Sequence, residues 1–318
     1  MNLEVQLAPN HPIGLRLKNP VMTASGTFGF GNEYAKLLEV AKLGAIVTKG
    51  VTLRPRRGNA QPRLVETPAG MLNSIGLQNP GAEAVIAQKA SMWARLDLPV
   101  IVNIAGETVE EYAELAEMFD SVAGVAALEV NVSCPNVKVG AMAFGVDPKA
   151  AAEVTSAVKA ATSMPVIVKL SPNVTDIVEI AQAVVEAGAD AVSLINTLLG
   201  MVIDIRARRP LLSTVTGGLS GPAIRPVALL MVYQVARAVA VPIIGVGGIT
   251  STEDALQFLM AGASAVQVGT ATFVYPTTAT DIVEGLAAFL EAEGLSSIAD
   301  IIGVANERPT PLPEDKRA

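Results

Sequence analysis

The sequence predicts a (β/α)8 barrel, and three observations support this fold class. About eight short apolar runs rich in β-branched residues recur along the chain, with helical patterns between them. Most runs are apolar throughout instead of alternating, as expected for parallel strands covered on both faces. Several runs follow a short segment of small residues, for example Ala187-Gly188-Ala189, which lets a helix turn tightly into the next strand. Right-handed crossovers would close such units into a barrel, and a doubly wound open sheet is the alternative.

The predicted strands of this barrel are residues 21–24, 45–48, 100–104, 128–132, 166–170, 191–195, 243–246 and 265–268. Before the first of them, residues 3–7 and 13–17 flank a turn, and we expect a hairpin that closes the bottom of the barrel. We predict a single domain over 1–318, because α/β barrels of this size often fold as one unit. The charged, proline-rich tail 309–318 is expected to be disordered.

Two connections are longer than ordinary loops of this fold, which favours a functional role at the C-terminal face of the barrel. They run over residues 50–79 and 197–221. Within the second, residues 201–206 and 211–216 are expected to pair as an inserted hairpin.

Composition excludes several classes of function. The chain has 23 Lys and Arg against 30 Asp and Glu, so it lacks the positive field that nucleic acid requires. One Cys and one His leave too few ligands for a zinc or iron–sulfur site, and we predict no metal. Residues 1–12 do not resemble a signal peptide, and the longest apolar stretch, 227–246, is interrupted by polar residues and proline. We therefore expect a cytoplasmic protein without a membrane span.

Polar residues and glycines follow nearly every predicted strand. They are Ser25, Lys49-Gly50, Asn103, Asn131, Lys169, Asn196-Thr197, Gly247-Gly248 and Gly269-Thr270. In a barrel these positions converge at the mouth, where active sites lie. Lysine and asparagine side chains are costly to bury unpaired, so a bound ligand or a network among themselves must satisfy them.

The residue types suggest what such a ligand contains. Gly247-Gly248 and Gly269-Thr270 leave room for backbone N–H groups to bind a phosphate, although glycines here also make tight turns. Lys169 is a candidate for stabilising a reduced flavin ring, and the alternative is an ion pair with a neighbouring carboxylate. Cys134 lies just beyond a predicted strand end. It is either a thiol that acts there as nucleophile or base, or a small buried hydrophobic residue.

Four motifs, in family order, resemble those of class 1 dihydroorotate dehydrogenases. They are Asn-Val-Ser-Cys-Pro-Asn at 131–136, Asn-Ser-Ile-Gly-Leu at 73–77, Gly-Gly-Leu-Ser-Gly-Pro at 217–222 and Gly-Val-Gly-Gly-Ile at 245–249. The resemblance implies an FMN-dependent barrel that oxidises (S)-dihydroorotate to orotate in UMP biosynthesis. It also implies that Cys134 is the base that removes the C5 proton while hydride passes from C6 to N5 of FMN.

Site residues carry over from the resemblance position by position. The residues that it assigns to FMN are Ser25, Lys49, Gly50, Asn103, Asn131, Lys169, Ile195, Gly221, Gly247, Gly248, Gly269 and Thr270. Those that it assigns to the substrate are Lys49, Asn73, Ser74, Ile75, Gly76, Leu77, Asn131, Asn136, Asn196 and Thr197. Orotate is a planar ring with amide edges and a carboxylate, and asparagine offers such edges both a donor and an acceptor.

Residues 26–31 and 138–144 look more like class 1B than class 1A, which uses fumarate, although Ala141-Met142 departs from the glycine common in class 1B. Class 1B implies a partner subunit with FAD and a 2Fe-2S cluster that passes electrons to NAD+. The implied assembly is a homodimer core within a heterotetramer. Competing hypotheses are a dihydrouridine synthase, the pyrimidine-reducing part of a dihydropyrimidine dehydrogenase, and a catalytically silent barrel that binds phosphate or serves in assembly.

Overall fold

Eight parallel strands form the centre of the fold in the computed structural model, which describes residues 1–34, 36–133 and 144–306. The strands of the described residues are β1 (Val5–Gln6), β2 (Arg16–Leu17), β3 (Val21–Thr23), β4 (Ile46–Val47), β5 (Leu64–Thr67), β6 (Gly70–Asn73), β7 (Val100–Ile104), β8 (Val125–Asn131), β9 (Val166–Lys169), β10 (Ala191–Leu194), β11 (Leu198–Gly200), β12 (Ile203–Asp204), β13 (Arg209–Pro210), β14 (Gly217–Ser220), β15 (Ile243–Val246) and β16 (Ala265–Val268). The α-helices are α1 (Ala82–Trp93), α2 (Val109–Asp120), α3 (Pro148–Ala161), α4 (Ile177–Glu186), α5 (Arg225–Ala236), α6 (Thr252–Met260) and α7 (Thr278–Ala292).

The central sheet closes on itself. Its strand order is β3-β16-β15-β10-β9-β8-β7-β4, and every neighbouring pair is parallel. A bridge between Met22 and Ala45 joins the two end strands, and the Gly44 N–H donates to the Val21 carbonyl over 2.8 Å. The predicted barrel is therefore confirmed, and the open-sheet alternative is wrong.

The strands and helices form where the apolar pattern requires them. All residues of β7 and β9 are buried, as expected for strands between a packed barrel interior and a layer of helices. Helix α4 buries Ile177, Ile180 and Val184, which lie on one face at helical spacing. Between β3 and β4 the described residues contain only the short 3-10 helix Val40–Lys42, so the first strand lacks the usual α-helix there.

The predicted N-terminal hairpin is confirmed, since Val5 pairs with Leu17 across the antiparallel strands β1 and β2. The inserted hairpin is confirmed in its first strand only. Residues 211–216 do not form the return strand, which is β13 at Arg209–Pro210. The physical reason is a tight turn, because the Asp204 carboxylate accepts hydrogen bonds from the backbone N–H groups of Arg206 and Ala207.

The two long connections pair with each other in one small sheet, which was not predicted from the sequence. Strands β11, β14, β6 and β5 form one antiparallel sheet, in which Gly218 pairs with Asn73. Because both connections leave the C-terminal ends of barrel strands, this sheet lies at the barrel mouth. The predicted tail at 309–318 lies outside the described residues. No helix in the described part of the chain has the length and apolar character to cross a bilayer.

Candidate active site

A lysine reaches across the mouth of the barrel. Lys169 ends β9 and is only 4% exposed, and its Nζ donates a hydrogen bond to Ser25 Oγ over 3.0 Å. Ser25 follows β3, which stands four strands away from β9 in the closed sheet. The contact therefore brings together two predicted cofactor residues from opposite sides of the barrel.

Two of the predicted asparagines meet beside this lysine. Asn131 ends β8 and lies opposite Lys169 in the strand register. Its Oδ1 accepts hydrogen bonds from Asn196 Nδ2 and from the Ser133 backbone N–H, each at 3.2 Å. The Tyr112 hydroxyl holds the backbone carbonyl of Asn131 at 2.7 Å. The Asn131 side chain is thus held at its amide oxygen, and the backbone of the same residue is held at its carbonyl.

A buried carboxylate that was not among the predicted site residues lies below these side chains. Glu129 is 0% exposed, and its Oε2 lies 3.8 Å from Lys169 Nζ and accepts from Asn103 Nδ2 over 2.7 Å. Both expectations for Lys169 therefore have a basis, since it has a neighbouring carboxylate and also lies at the mouth. Side chains alternate along a strand, so Glu129 shares the interior face with Asn131. The period-2 spacing of Glu129 and Asn131 along the strand was therefore the sequence signal that could have identified Glu129 as part of the site.

Three glycine segments converge on one rim of the mouth. Gly248 has a φ of +73°, and a Cβ there would lie 2.7 Å from the Gly221 carbonyl oxygen. A Cβ on Gly221 would in turn lie 3.6 Å from the Thr270 methyl group. The backbone N–H groups of Gly247, Gly248 and Gly269 donate to no other group of the described chain. This rim has the free N–H donors that an anion requires, and they belong to glycines that pack too closely to carry a side chain.

Ile195 and Gly269 complete this rim. Ile195 is buried, donates its N–H to the Val246 carbonyl over 2.9 Å and lies beside Gly247. A Cβ on Gly269 would lie 3.2 Å from the Ala24 Cβ, directly before Ser25. The glycine rim is therefore continuous with the part of the mouth that holds Ser25.

Lys49 lies on another part of the mouth and is partly buried. Burial lowers the pKa of Lys49, the positive charge of Arg63 lowers it further, and the carboxylate of Glu33 opposes the change. Among the described residues, its ammonium group has no hydrogen-bond or ion-pair partner. The next residue, Gly50, packs tightly, since a Cβ there would lie 3.0 Å from Asn103 Oδ1. Lys49 is thus a cation available to an anionic ligand.

The inserted sheet brings the remaining described substrate candidates to the mouth. Asn73 Nδ2 donates to the Gly218 carbonyl over 3.3 Å, and Gly218 packs against the Thr197 hydroxyl. The Ser74 hydroxyl is buried and has no partner within the described residues. Gly76 turns the segment with a φ of +73°. Leu77, at the end of the same segment, contacts the position of Gly50.

Cys134 and Asn136 lie outside the described residues, so their predicted roles stay predictions. Ser133, directly before Cys134 in the chain, is anchored at the mouth. Its Oγ donates to the Lys169 backbone carbonyl over 3.3 Å, and its N–H donates to Asn131. The predicted base therefore follows a residue that is fixed between two strand ends of the site.

A family model described as dihydroorotate dehydrogenase matches residues 8–290. The chain belongs to the dihydroorotate dehydrogenase family. Among similar curated proteins, one from Pelobacter propionicus is 60% identical over 290 residues, which cover 91% of this chain and 95% of the relative. One from Desulforamulus reducens is 56% identical over 306 residues, which cover 96% and 99%. Both are named dihydroorotate dehydrogenase B (NAD(+)), catalytic subunit. The resemblance to this family, and to class 1B within it, is confirmed.

Proposed function

We propose that this member of the dihydroorotate dehydrogenase family oxidises (S)-dihydroorotate to orotate with FMN, as the catalytic subunit of an NAD+-linked enzyme. The observation that carries the proposal is the pairing of two features at one barrel mouth. A glycine rim with free N–H groups stands beside a buried lysine that is tied to Ser25. Together they match the two chemical ends of FMN, its phosphate and its redox-active ring.

The residues present fit FMN. Gly221, Gly248 and Thr270 form a cradle that a Cβ would fill, and Gly221 starts the 3-10 turn that leads into α5, so a helix N-terminus also faces the rim. Lys169 uses one of its three donors on Ser25, which leaves donors for a flavin ring. When bound, FMN accepts the hydride that leaves the substrate. We assign to its binding the described residues that the family resemblance names.

The substrate proposal rests on unused polar groups. Lys49 has an unpaired ammonium that suits the orotate carboxylate, and the Ser74 hydroxyl is without a partner among the described residues. Asn73, Asn131 and Asn196 present amide groups that suit the edges of the pyrimidine ring. These groups would orient the substrate, and the charge of Lys49 would select a ring with a carboxylate over uracil or thymine.

Cys134 is the proposed base. Its Sγ, as thiolate, would take the proton from C5 of dihydroorotate. A free thiol has a pKa of about 8.5, close enough to neutral pH for this duty. Ser133, the residue before Cys134 in the chain, hydrogen-bonds to Lys169 and Asn131 of the site, which supports this assignment.

The electron acceptor is part of the same proposal. The relatives are named NAD+-linked catalytic subunits, which supports a partner subunit for this chain as well. We propose that this partner carries FAD and a 2Fe-2S cluster, and that two copies of the present chain form the core of the assembly. The proposed location is the cytoplasm.

The test is anaerobic mixing of the FMN-loaded chain with dihydroorotate, followed by flavin absorbance. We expect the flavin to bleach and to stay reduced when fumarate or NAD+ is added alone. Addition of the partner subunit with NAD+ should restore the absorbance. Recovery with fumarate alone would instead indicate a class 1A enzyme, and a flavin that never bleaches would refute the proposed substrate.

A further inference from the structure

Glu129 has no part in the proposed chemistry, yet it is a fully buried carboxylate at the centre of the barrel. It lies on β8 and is 0% exposed, as is Ser193 on β10. The interiors of such barrels are ordinarily filled with Val, Ile and Leu. A carboxylate there is costly unless several donors satisfy it.

The carboxylate of Glu129 connects five of the eight barrel strands. Its Oε1 accepts hydrogen bonds from Ser193 Oγ at 2.9 Å and from Gln267 Nε2 at 2.7 Å. Its Oε2 accepts from Asn103 Nδ2 at 2.7 Å and lies 3.8 Å from Lys169 Nζ. Each oxygen therefore accepts at least one hydrogen bond, and donors from four other strands surround this buried carboxylate.

The position of Lys169 between Glu129 and Ser25 has an electrostatic consequence. The Lys169 side chain is 5% exposed, so its charge needs a nearby counter-charge, and Glu129 supplies one. The hydrogen bond of Nζ goes to Ser25 instead, and the separation of 3.8 Å is that of an ion pair without a close hydrogen bond. The ammonium is therefore held in place and partly neutralised, with donors still free toward the mouth.

We propose that Glu129 is a positioning residue of the flavin site. It fixes Asn103 and Lys169 through the barrel network, and it offsets the charge of Lys169. It thereby limits how strongly the site favours the reduced, anionic flavin over the oxidised one. The second part rests on the proposed function, because it requires FMN at Lys169.

The first test is the reduction potential of bound FMN in Glu129→Gln, measured by equilibration with a reference dye at about pH 6, well below the ordinary pKa of lysine. Glutamine keeps the shape and removes the charge, and rotation of the Asn103 amide can offer it an acceptor. We expect the preference for reduced FMN to rise about tenfold, which for two electrons is a potential about 30 mV higher.

Ser193→Ala is the matched control, because it removes one neutral hydrogen bond to the same carboxylate. Its potential should stay close to that of the wild-type chain. A potential in Glu129→Gln that is unchanged or lower, or a Ser193→Ala shift of equal size, would overturn the charge-balancing role.

The second test needs no flavin, so it separates this inference from the proposed function. Melting temperatures of the flavin-free chain are compared for Glu129→Gln, Lys169→Met and the double variant. Each single variant leaves one buried charge uncompensated and should melt roughly 5–10 °C lower. The double variant should lose much less than the two losses together. Strict additivity would show that Glu129 and Lys169 do not balance each other. If a single variant fails to fold, recovery of folding in the double variant supports the pairing, and failure of both contradicts it.

Discussion

Replacement of Gly248 by alanine tests whether the glycine rim is a cradle that cannot take a side chain. Gly248 has a φ of +73° and directly follows Gly247 after β15. A Cβ there would lie 2.7 Å from the Gly221 carbonyl oxygen, 2.8 Å from the Arg225 Cβ and 3.0 Å from the Arg225 backbone nitrogen. None of these atoms lies at the end of a flexible side chain. Backbone must therefore move to admit the methyl group.

The size of the effect follows from two contributions. A left-handed backbone costs a residue with a Cβ roughly 1–2 kcal/mol, and part of this is offset because alanine restricts the unfolded chain by about 0.4–1 kcal/mol. Crowding against fixed atoms adds roughly 1–3 kcal/mol. We expect a loss of about 2–3 kcal/mol in the free energy of unfolding, or about 5 °C in melting temperature. Because Gly221 and Arg225 must shift, FMN affinity should fall at least about tenfold.

Gly294→Ala is the matched control. Gly294 has a similar φ of +67°, and a Cβ there would meet no atom within 4 Å. It should lose at most about 1 kcal/mol and keep its FMN affinity. Thermal unfolding of the flavin-free chains, followed by circular dichroism, and equilibrium titration with FMN give the two quantities. Equal melting temperatures and equal FMN affinities for the two variants would refute the reasoning about the cradle.

Three further predictions concern Lys49 as the cation that binds the substrate, Cys134 as the base, and the N-cap of α3. Burial lowers the pKa of Lys49 below its ordinary value of 10.5, so its contribution to stability should rise with pH between the lowered and the ordinary value. Lys49→Met should remove this rise in urea titrations and weaken orotate binding at least about tenfold, whereas an unchanged orotate affinity would exclude contact with the carboxylate. Cys134→Ser should keep FMN and orotate binding but slow flavin reduction at neutral pH about 100-fold or more in stopped-flow traces. The rate of flavin reduction in the wild-type chain should rise with pH. Unchanged reduction kinetics in the variant would show that Cys134 is not the base. Asp147 caps α3 by accepting from two backbone N–H groups, so Asp147→Ala should cost about 1 kcal/mol in chemical denaturation, and a loss no larger than that of the exposed Glu153→Ala would contradict the cap.

The barrel was predictable because its strands carry the signal in their own residues. Apolar runs bounded by turns appear at all eight positions, and each predicted run contains the observed strand or most of it. The largest difference is β8, which begins at Val125 instead of 128, before the run becomes fully buried. The hairpin in the second insertion was placed too late in its return strand, because the side chain of Asp204 tightens the turn.

The inserted sheet at the mouth was not predictable from local pattern. Asn73 and Gly218 are separated by 145 residues and pair only because the closed barrel brings both insertions to the same face. Glu129 was missed for a different reason. A single acidic residue within an apolar strand does not by itself indicate a site, because the partners that would show its role are not near it in the sequence. The partners of Glu129 include Ser193 and Gln267, which lie on other strands.

The sequence by itself determined which residues end the strands and which family motifs the chain carries. These depend on neighbours along the chain, such as the segment 131–136 and the glycines at 247–248. Tertiary structure alone decided which of these groups meet. Lys169 reaches Ser25, 144 residues away, because eight strands close into a ring and point their ends at a common mouth. Closing the barrel carries the conformational-entropy cost of bringing distant segments together, and once the barrel is closed the contacts across the mouth form without a further cost of this kind.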